Sequence, residues 1–222
     1  MAPWVVVVIG GFCMAAVGAI ASWRQPSRRA RRLLARAEEK ALGAVDDGDR
    51  VRVRGVARRG PEGTLRAPFT GRACLAFRVI VQRRLEGDWE DVFSTELCVP
   101  FELVAEGLEA RVDGPFLLAL EVDARGDNTE VEFSEPVRDA LNSLGVAPLV
   151  TWARGRRLRY LEAVLEPGDP IWVLGAATKT VDPTGRRDTL RGQPLKRIIS
   201  GTKRAPTIVA DEDQPGVLEP FG

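Results

Sequence analysis

Histidine is absent from all 222 residues, and of three cysteines Cys13 falls in an apolar N-terminal stretch, leaving Cys74 and Cys98. The absence of imidazole removes the commonest general base, the commonest zinc ligand and every triad that depends on it. A nucleophile at Cys74 would have no histidine to activate it. The two thiols form neither a C-x-x-C pair nor a metal cluster, and in a reducing compartment they read as small buried hydrophobes, free rather than bridged. Asp123, Asp127 and Asn128 could offer oxygens to a hard cation, but the string DARGDN lacks EF-hand spacing and reads as a hairpin turn. Arg154, Arg156, Arg157 and Arg159, beside Trp152 and Tyr160, could hold phosphate or RNA through charge and stacking if they shared one exposed face. Glu162 and Glu166 follow directly and the net charge is +1, which favours a solvated strand edge or a contact with a membrane surface. Phosphate loops, nucleophile elbows and paired-carboxylate spacings do not occur. The sequence therefore predicts no catalytic, cofactor-binding or metal-binding residue, and no cofactor.

The elements that would position these side chains begin with a membrane span. Met1 to Trp23 contains no charged side chain. A helix from Trp4 to Trp23 rises about 28 Å, close to the hydrocarbon thickness of a bilayer, with a tryptophan for each interface. Arg24, Arg28, Arg29, Arg31, Arg32 and Arg36 follow it and no basic side chain precedes it. The positive-inside tendency then places the N-terminus outside and the rest of the chain in the cytoplasm, as a single-pass protein of the cell (inner) membrane. Ala19-Ile20-Ala21 before Ser22 would satisfy a signal-peptidase site, but the charge follows the apolar run instead of preceding it, so the anchor is expected to be retained. Gly11, Ala15 and Ala19 form a stripe of small residues through which two spans could pack as a homodimer.

Ser27 to Gly43 reads as a basic juxtamembrane helix within residues 24–45, with Arg24 to Arg36 available to anionic lipid headgroups. From Asp46 the texture becomes mainly β. Val51 and Val53 alternate with Arg50, Arg52 and Arg54, predicting a strand with one buried and one solvated face. Further strands are predicted at Cys74–Gln82, Trp89–Val99, Phe116–Val122, Thr129–Phe133, Leu158–Leu165, Pro170–Ala177, Leu195–Ile199 and Thr207–Val209. Turns fall at Glu86-Gly87-Asp88, Glu106-Gly107 and Arg125-Gly126-Asp127-Asn128, and one short helix, begun by Ser134-Glu135-Pro136, ends at Gly145. This spacing predicts an antiparallel OB-like barrel or sandwich over residues 46–210, with one or two short helices and a disordered acidic tail at 211–222.

A weak repeat runs through the β region. Residues 48–57, GDRVRVRGVA, match residues 168–177, GDPIWVLGAA: each is a Gly-Asp turn, an alternating strand and a glycine at the same offset. Such strands open small OB-like barrels, where glycine lets the strand coil across the closure, and two related β elements packed in one unit are expected.

Four blocks occur in order: Gly63-Thr64-Leu65-Arg66-Ala67-Pro68-Phe69-Thr70-Gly71-Arg72-Ala73-Cys74, then Trp89, then Pro100-Phe101-Glu102-Leu103, then Tyr160-Leu161-Glu162-Ala163-Val164-Leu165-Glu166-Pro167-Gly168-Asp169 with Val173-Leu174-Gly175. Over residues 48 to 180 this pattern resembles the GIDE, or "beside a membrane", domain of mitochondrial membrane-anchored ubiquitin ligases and their prokaryotic relatives. The resemblance implies a membrane-adjacent β-rich domain acting in protein interaction. Ligase activity in that family comes from a C-terminal RING finger. With no histidine and no cysteine after Cys98, this chain has no RING ligands, so the activity does not carry over. The expected function is a membrane-anchored, non-enzymatic scaffold for an unidentified cytoplasmic protein. The readings set beside it are a membrane-tethered OB-like nucleic-acid or phosphate binder and a ligase-like enzyme. The four blocks are expected to be structural, with Phe69 a buried ring and the Glu162 carboxylate paired to Arg72 or Arg78.

Overall fold

The computed structural model describes residues 25–85, 87–127, 135–145, 157–181 and 195–212. The expected span Met1–Trp23, the strand Thr129–Phe133, Trp152, Arg154 and Arg156 lie outside those residues. Among the described residues no helix is long and apolar enough to cross a membrane.

Helix α1 (Gln25–Arg36) is followed by a short 3₁₀ turn at Leu42–Ala44. The strands are β1 (Arg50–Arg58), β2 (Leu65–Arg66), β3 (Ala73–Cys74), β4 (Ala76–Leu85), β5 (Asp88–Cys98), β6 (Phe101–Ala105), β7 (Leu108–Val112), β8 (Phe116–Ala119) and β9 (Ala124–Asp127). Helix α2 (Glu135–Ser143) precedes β10 (Leu158–Leu165), β11 (Pro170–Val181), β12 (Leu195–Ser200) and β13 (Thr207–Asp211). Strands dominate, as the alternation and turn spacing predict.

Strands β1, β6, β7, β12 and β11 pair in that order, and β11 pairs back to β1, which closes a five-stranded barrel. The closure is antiparallel at four junctions and parallel at β7–β12, a departure from the all-antiparallel expectation. Period-two alternation fills it: Val51, Val53, Phe101, Leu103, Ala110, Val112, Ile171, Val173 and Ile199 share one buried core. β13 extends the sheet from β11, and β8 pairs parallel to β13.

A second sheet, in the order β5-β4-β10-β9, is built wholly from chain inserted between barrel strands. β4 and β5 come from the β1–β6 connection, and β9 and β10 from the β7–β11 connection. Phe77, Val79, Val81, Leu158 and Val164 pack here with Leu141 of α2. At Leu75 the chain changes cores, since Leu75 and Ala76 belong to the barrel while Phe77 belongs to the second cluster. A single apolar face from Leu75 to Val81, as alternation alone suggests, is therefore divided between two cores. Leu97, expected on a buried face of β5, is half exposed.

Several other expectations need correction. β6 and β7 carry no strong strand signal and were predicted only as the turn between them, Glu106-Gly107. The expected turn at Arg125-Gly126-Asp127 is instead strand β9, with Arg125 opposite Leu161 and Gly126 opposite Tyr160. β13 continues to Asp211, so the structured chain runs past the predicted start of the tail. The predicted helix Ser27–Gly43 ends at Arg36. Beyond it the backbone pairs with the barrel, where Arg52 N donates to Glu38 O at 2.9 Å and Lys40 N to Arg52 O at 3.0 Å. Two β hydrogen bonds here displace the last helical turns, although their residues have good helix propensity and Gly43 offers a stop.

Nor is α1 a free stalk. Ala30 and Leu34 are completely buried against Ala119, Trp172, Leu174, Ile208 and Ala210, with Ala37 partly buried beside them. Arg52, expected on a solvated face, is buried beneath the end of the helix.

Candidate functional site

Two of the four sequence blocks, the turn at residues 67–72 and residues 160–166 in and just after β10, meet at one corner of the second sheet, while Phe101, Leu103 and Val173 lie in the barrel core and Trp89 on the other face. Ala67 N donates to Arg72 O and Gly71 N to Ala67 O, both at 2.9 Å, so Pro68-Phe69-Thr70 turns tightly between β2 and β3. Glu162, on the middle of β10, is completely buried. Its two carboxylate oxygens accept from the amides at the tip of that turn: Phe69 N to Oε1 at 2.8 Å and Thr70 N to Oε2 at 2.9 Å. The hydrogen bonds expected from Arg72 or Arg78 come instead from two backbone N–H groups, while the nearby Arg72 guanidinium contributes at longer range through its charge.

Arg72 turns outward instead. It donates through Nη1 to Glu166 at 3.1 Å and through Nη2 to Asp123. Asp123 is therefore an ion-pair partner of the corner, not a turn residue or cation ligand. Groups of three or more acidic or sulfur ligands able to hold a metal are absent among the described residues.

Phe69 is half-buried. Its ring stacks on Tyr160 with centroids 4.1 Å apart and planes at 20°. On β9, Gly126 lies so close to the same ring that a Cβ there would meet Tyr160 Cε1 at 2.5 Å. Tyr160 is thus packed from the corner and from β9, which removes it as a base-stacking platform. The alternation of β10 puts Arg159 on the opposite face, where its guanidinium stands 4.2 Å from the Trp89 ring and donates to Gln82. Tyr160 and Arg159 do not share the exposed face that the nucleic-acid reading needs, and Trp152, Arg154 and Arg156 lie outside the described residues.

Cys74 is buried beside the corner, and burial, reinforced by the Glu162 and Glu166 carboxylates, pushes its thiol up to about 11. Cys98 is likewise raised by burial, with Glu96 nearby. Both are free thiols, as expected from the sequence. A thiol with that pKa is almost wholly protonated at neutral pH, the opposite of an activated nucleophile.

Across the barrel, the outer face of β6 and β7 is a ladder of ion pairs. Arg58 meets Glu109 at 2.5 Å, Lys196 meets Glu102 at 3.2 Å, and Arg111 is held by Glu62 and by Asp113. Each cation there has a carboxylate, so the face carries little unbalanced charge.

The third cluster of polar contacts surrounds Arg52. Its Nη1 donates 3.0 Å to Leu34 O, a carbonyl of the last turn of α1 that also accepts from Ala37 N at 3.2 Å, and its Nη2 meets Glu39 at 2.9 Å. Its Cζ lies 4.6 Å from the Trp172 ring. One side chain therefore caps the helix, pairs with the segment after it and stacks on the barrel.

At the end of β13, Asp211 accepts from Glu121 N at 2.5 Å. Burial, with Asp123, Glu121 and Asp169 adding repulsion, raises its carboxyl to about 6.

Comparison with family models, with curated proteins and with solved structures found no match. The sequence signals for Arg52 and Asp211 were weak: alternation put Arg52 on the wrong side, and Asp211 looked like the first residue of an acidic tail.

Proposed function

We propose that this chain is a membrane-anchored, non-enzymatic interaction module related to the GIDE domain. In this reading Trp4 to Trp23 spans the cell (inner) membrane with the N-terminus outside, and the β-rich unit stands in the cytoplasm for a protein partner. Gly11, Ala15 and Ala19 allow two spans to pair. The observation that carries the non-enzymatic part is how the motif residues are spent. Glu162 holds two backbone amides, Phe69 and Tyr160 hold each other, Arg72 is paired twice, and the nearby thiol Cys74 is buried and protonated. None is left to attack, transfer a proton or hold a cofactor.

The test uses the full chain in cells. A reporter active only in the cytoplasm, fused after Gly222, is expected to be active, and the protein to stay with membranes after alkaline extraction. Activity only from a periplasmic reporter, or release by alkali, would sink the anchored reading.

One observation favours a second reading, an OB-like binder of nucleic acid or phosphate. Taken in chain order the barrel strands pair as first-second-third-fifth-fourth-first, with the third and fifth parallel, which is the connectivity of an OB barrel. OB proteins bind oligonucleotides on the second and third strands, here β6 and β7, but that face is an ion-pair ladder without an aromatic platform. Single-stranded oligonucleotides titrated against the detergent-solubilised chain are expected to show no salt-sensitive anisotropy change. A clear one would restore this reading.

A further inference from the structure

We propose that α1, clamped to the barrel by Arg52, is a lipid-facing plate that holds the folded domain against an anionic headgroup layer in one fixed orientation. The proposal rests on the anchored reading above and adds to it which side of the barrel faces the bilayer.

An amphipathic basic helix beside a membrane ordinarily buries its apolar stripe in the headgroup region. Here that stripe is already used, because Ala30 and Leu34 are fully covered by β8, β11 and β13 and Ala37 is partly covered. What α1 offers outward is charge. Arg29, Arg32 and Arg36 follow at helical spacing on the face turned from the barrel; with Arg31 they are exposed. Among the described residues none of these four has a carboxylate partner. Elsewhere Arg54, Arg58, Arg72, Arg83 and Arg111 each meet an acidic side chain. Arg59, Arg66 and Arg84 are also exposed without a carboxylate partner among the described residues, but they lie on separate strands and turns, whereas α1 gathers Arg29, Arg31, Arg32 and Arg36 on one short helix and so presents a concentrated positive surface to an external anion layer. The layer is lipid, because α1 begins two residues after the apolar stretch ending at Trp23 and cannot lie far from its interface.

The orientation follows from the docking. Arg52 takes the Leu34 carbonyl, the Glu39 carboxylate and the Trp172 ring together, so α1 cannot swing without uncovering a buried guanidinium. The β11-β13-β8 side then faces the headgroups. β6 and β7, across the barrel from β11, face away.

The test places the photocrosslinker benzoyl-phenylalanine at Ala35, which is exposed among the arginines, or at Glu109 on β7, in the full chain reconstituted in nanodiscs. Phospholipid adducts are read by mass spectrometry. Adduct is expected at Ala35 in phosphatidylglycerol-containing discs and not at Glu109. It should fall by about tenfold or more in pure phosphatidylcholine discs, and in the triple variant Arg29→Glu, Arg32→Glu, Arg36→Glu. Equal yield at the two sites, or yield at Ala35 that ignores lipid charge, overturns the proposal while leaving the anchor intact. If alkali releases the chain from membranes the anchored reading fails instead, and the same crosslink to anionic vesicles added from outside still decides the lipid surface.

Discussion

Val53 lies directly opposite Val173 at the centre of the β1–β11 pair, and these two valines hold the same position in the repeated segments 48–57 and 168–177. The pair is therefore related by a local twofold axis, and the hydrogen bonds obey it. Gly48 N donates to Ala177 O at 2.8 Å and Gly168 N to Ala57 O at 2.7 Å. Ala177 N donates to Asp49 O at 2.7 Å and Ala57 N to Asp169 O at 2.9 Å. Even the turn carboxylates correspond: Asp49 Oδ2 accepts from Asp46 N at 3.1 Å and Asp169 Oδ2 from Glu166 N at 2.7 Å. The repeat is a structural unit used twice, and the two copies close the barrel on each other.

The symmetry predicts matched effects at its glycines. A Cβ on Gly55 would lie 2.7 Å from Val104 O and one on Gly175 2.6 Å from Ile199 Cγ2, because each strand there presses against its other neighbour. Gly55→Ala and Gly175→Ala are each expected to destabilise by about 1–3 kcal/mol through overpacking. Chemical denaturation of the two variants checks this, and a parent-like midpoint for either would break the equivalence.

Glu162 is the second test. Glu162→Ala leaves the Phe69 and Thr70 amides without their acceptor and is expected to cost about 3 kcal/mol. Glu162→Gln keeps one acceptor oxygen but turns an NH₂ toward the other amide, so it should fall between Ala and the parent in melting temperature. A Gln variant as stable as the parent would show that the second hydrogen bond contributes nothing.

Phe69 is half-buried against one ring, so the cost of a fully buried ring, about 3–5 kcal/mol, does not apply. Phe69→Ala is expected to cost about 1–2 kcal/mol, while Phe69→Leu, which keeps most of the area, should recover roughly half. Melting curves in detergent rank the three proteins.

Arg52→Met keeps the packing volume over Trp172 but loses the cap on Leu34 O and the Glu39 pair. Its expected signature is local: faster amide hydrogen exchange in Gln25–Arg36 with little change in the barrel strands. Uniform loosening of the whole domain would mean that Arg52 acts through the core instead of through the helix.

Asp211 sets the pH dependence. Its carboxyl titrates near 6 in the fold against an ordinary value of 3.8, so between these pH values the folded chain keeps a proton that the unfolded chain has released. Stability from this group is therefore full below about pH 4 and declines as the pH rises through 6. Asp211→Asn, neutral and still able to accept from Glu121 N, should melt higher than the parent at pH 7.5 and converge with it near pH 4. A constant offset across that range would exclude the titration.

The sequence is most legible where no turn residue interrupts an apolar run. β10 is read with its full extent, because Leu158 to Leu165 runs unbroken to Pro167 even though Ala163 and Leu165 serve the barrel core and Leu158 and Val164 the second cluster, and α2 because its start and its Gly145 stop are both marked. The repeat was visible as two strings, though not as partners, since register between segments so far apart is set by closure and not by local residues. β6 and β7 were missed because each is five residues long and carries charges on its outer face, where ion pairs replace apolar packing. Arg52 and Glu162 escape the residue pattern for a related reason. Each is a buried charge that takes backbone groups, the Leu34 carbonyl for Arg52 and the Phe69 and Thr70 amides for Glu162, and backbone groups leave no trace in a residue pattern; the other partners of Arg52, Glu39 and Trp172, come from distant segments.

The second sheet is stitched from two separate excursions out of the barrel, and its central contact is the antiparallel seam of β4 with β10. This has a consequence for the order of events at the ribosome. When β1 to β7 have emerged, neither the closing strand β11 nor the seam partner β10 yet exists, so two sheet edges wait open through most of synthesis. Pairings this distant in sequence fold slowly. Until they form, the free edges of β1 and β4 are the places where edge-to-edge association between nascent copies would begin, so the last strands to arrive, β10 and β11, also remove the chain's aggregation hazard.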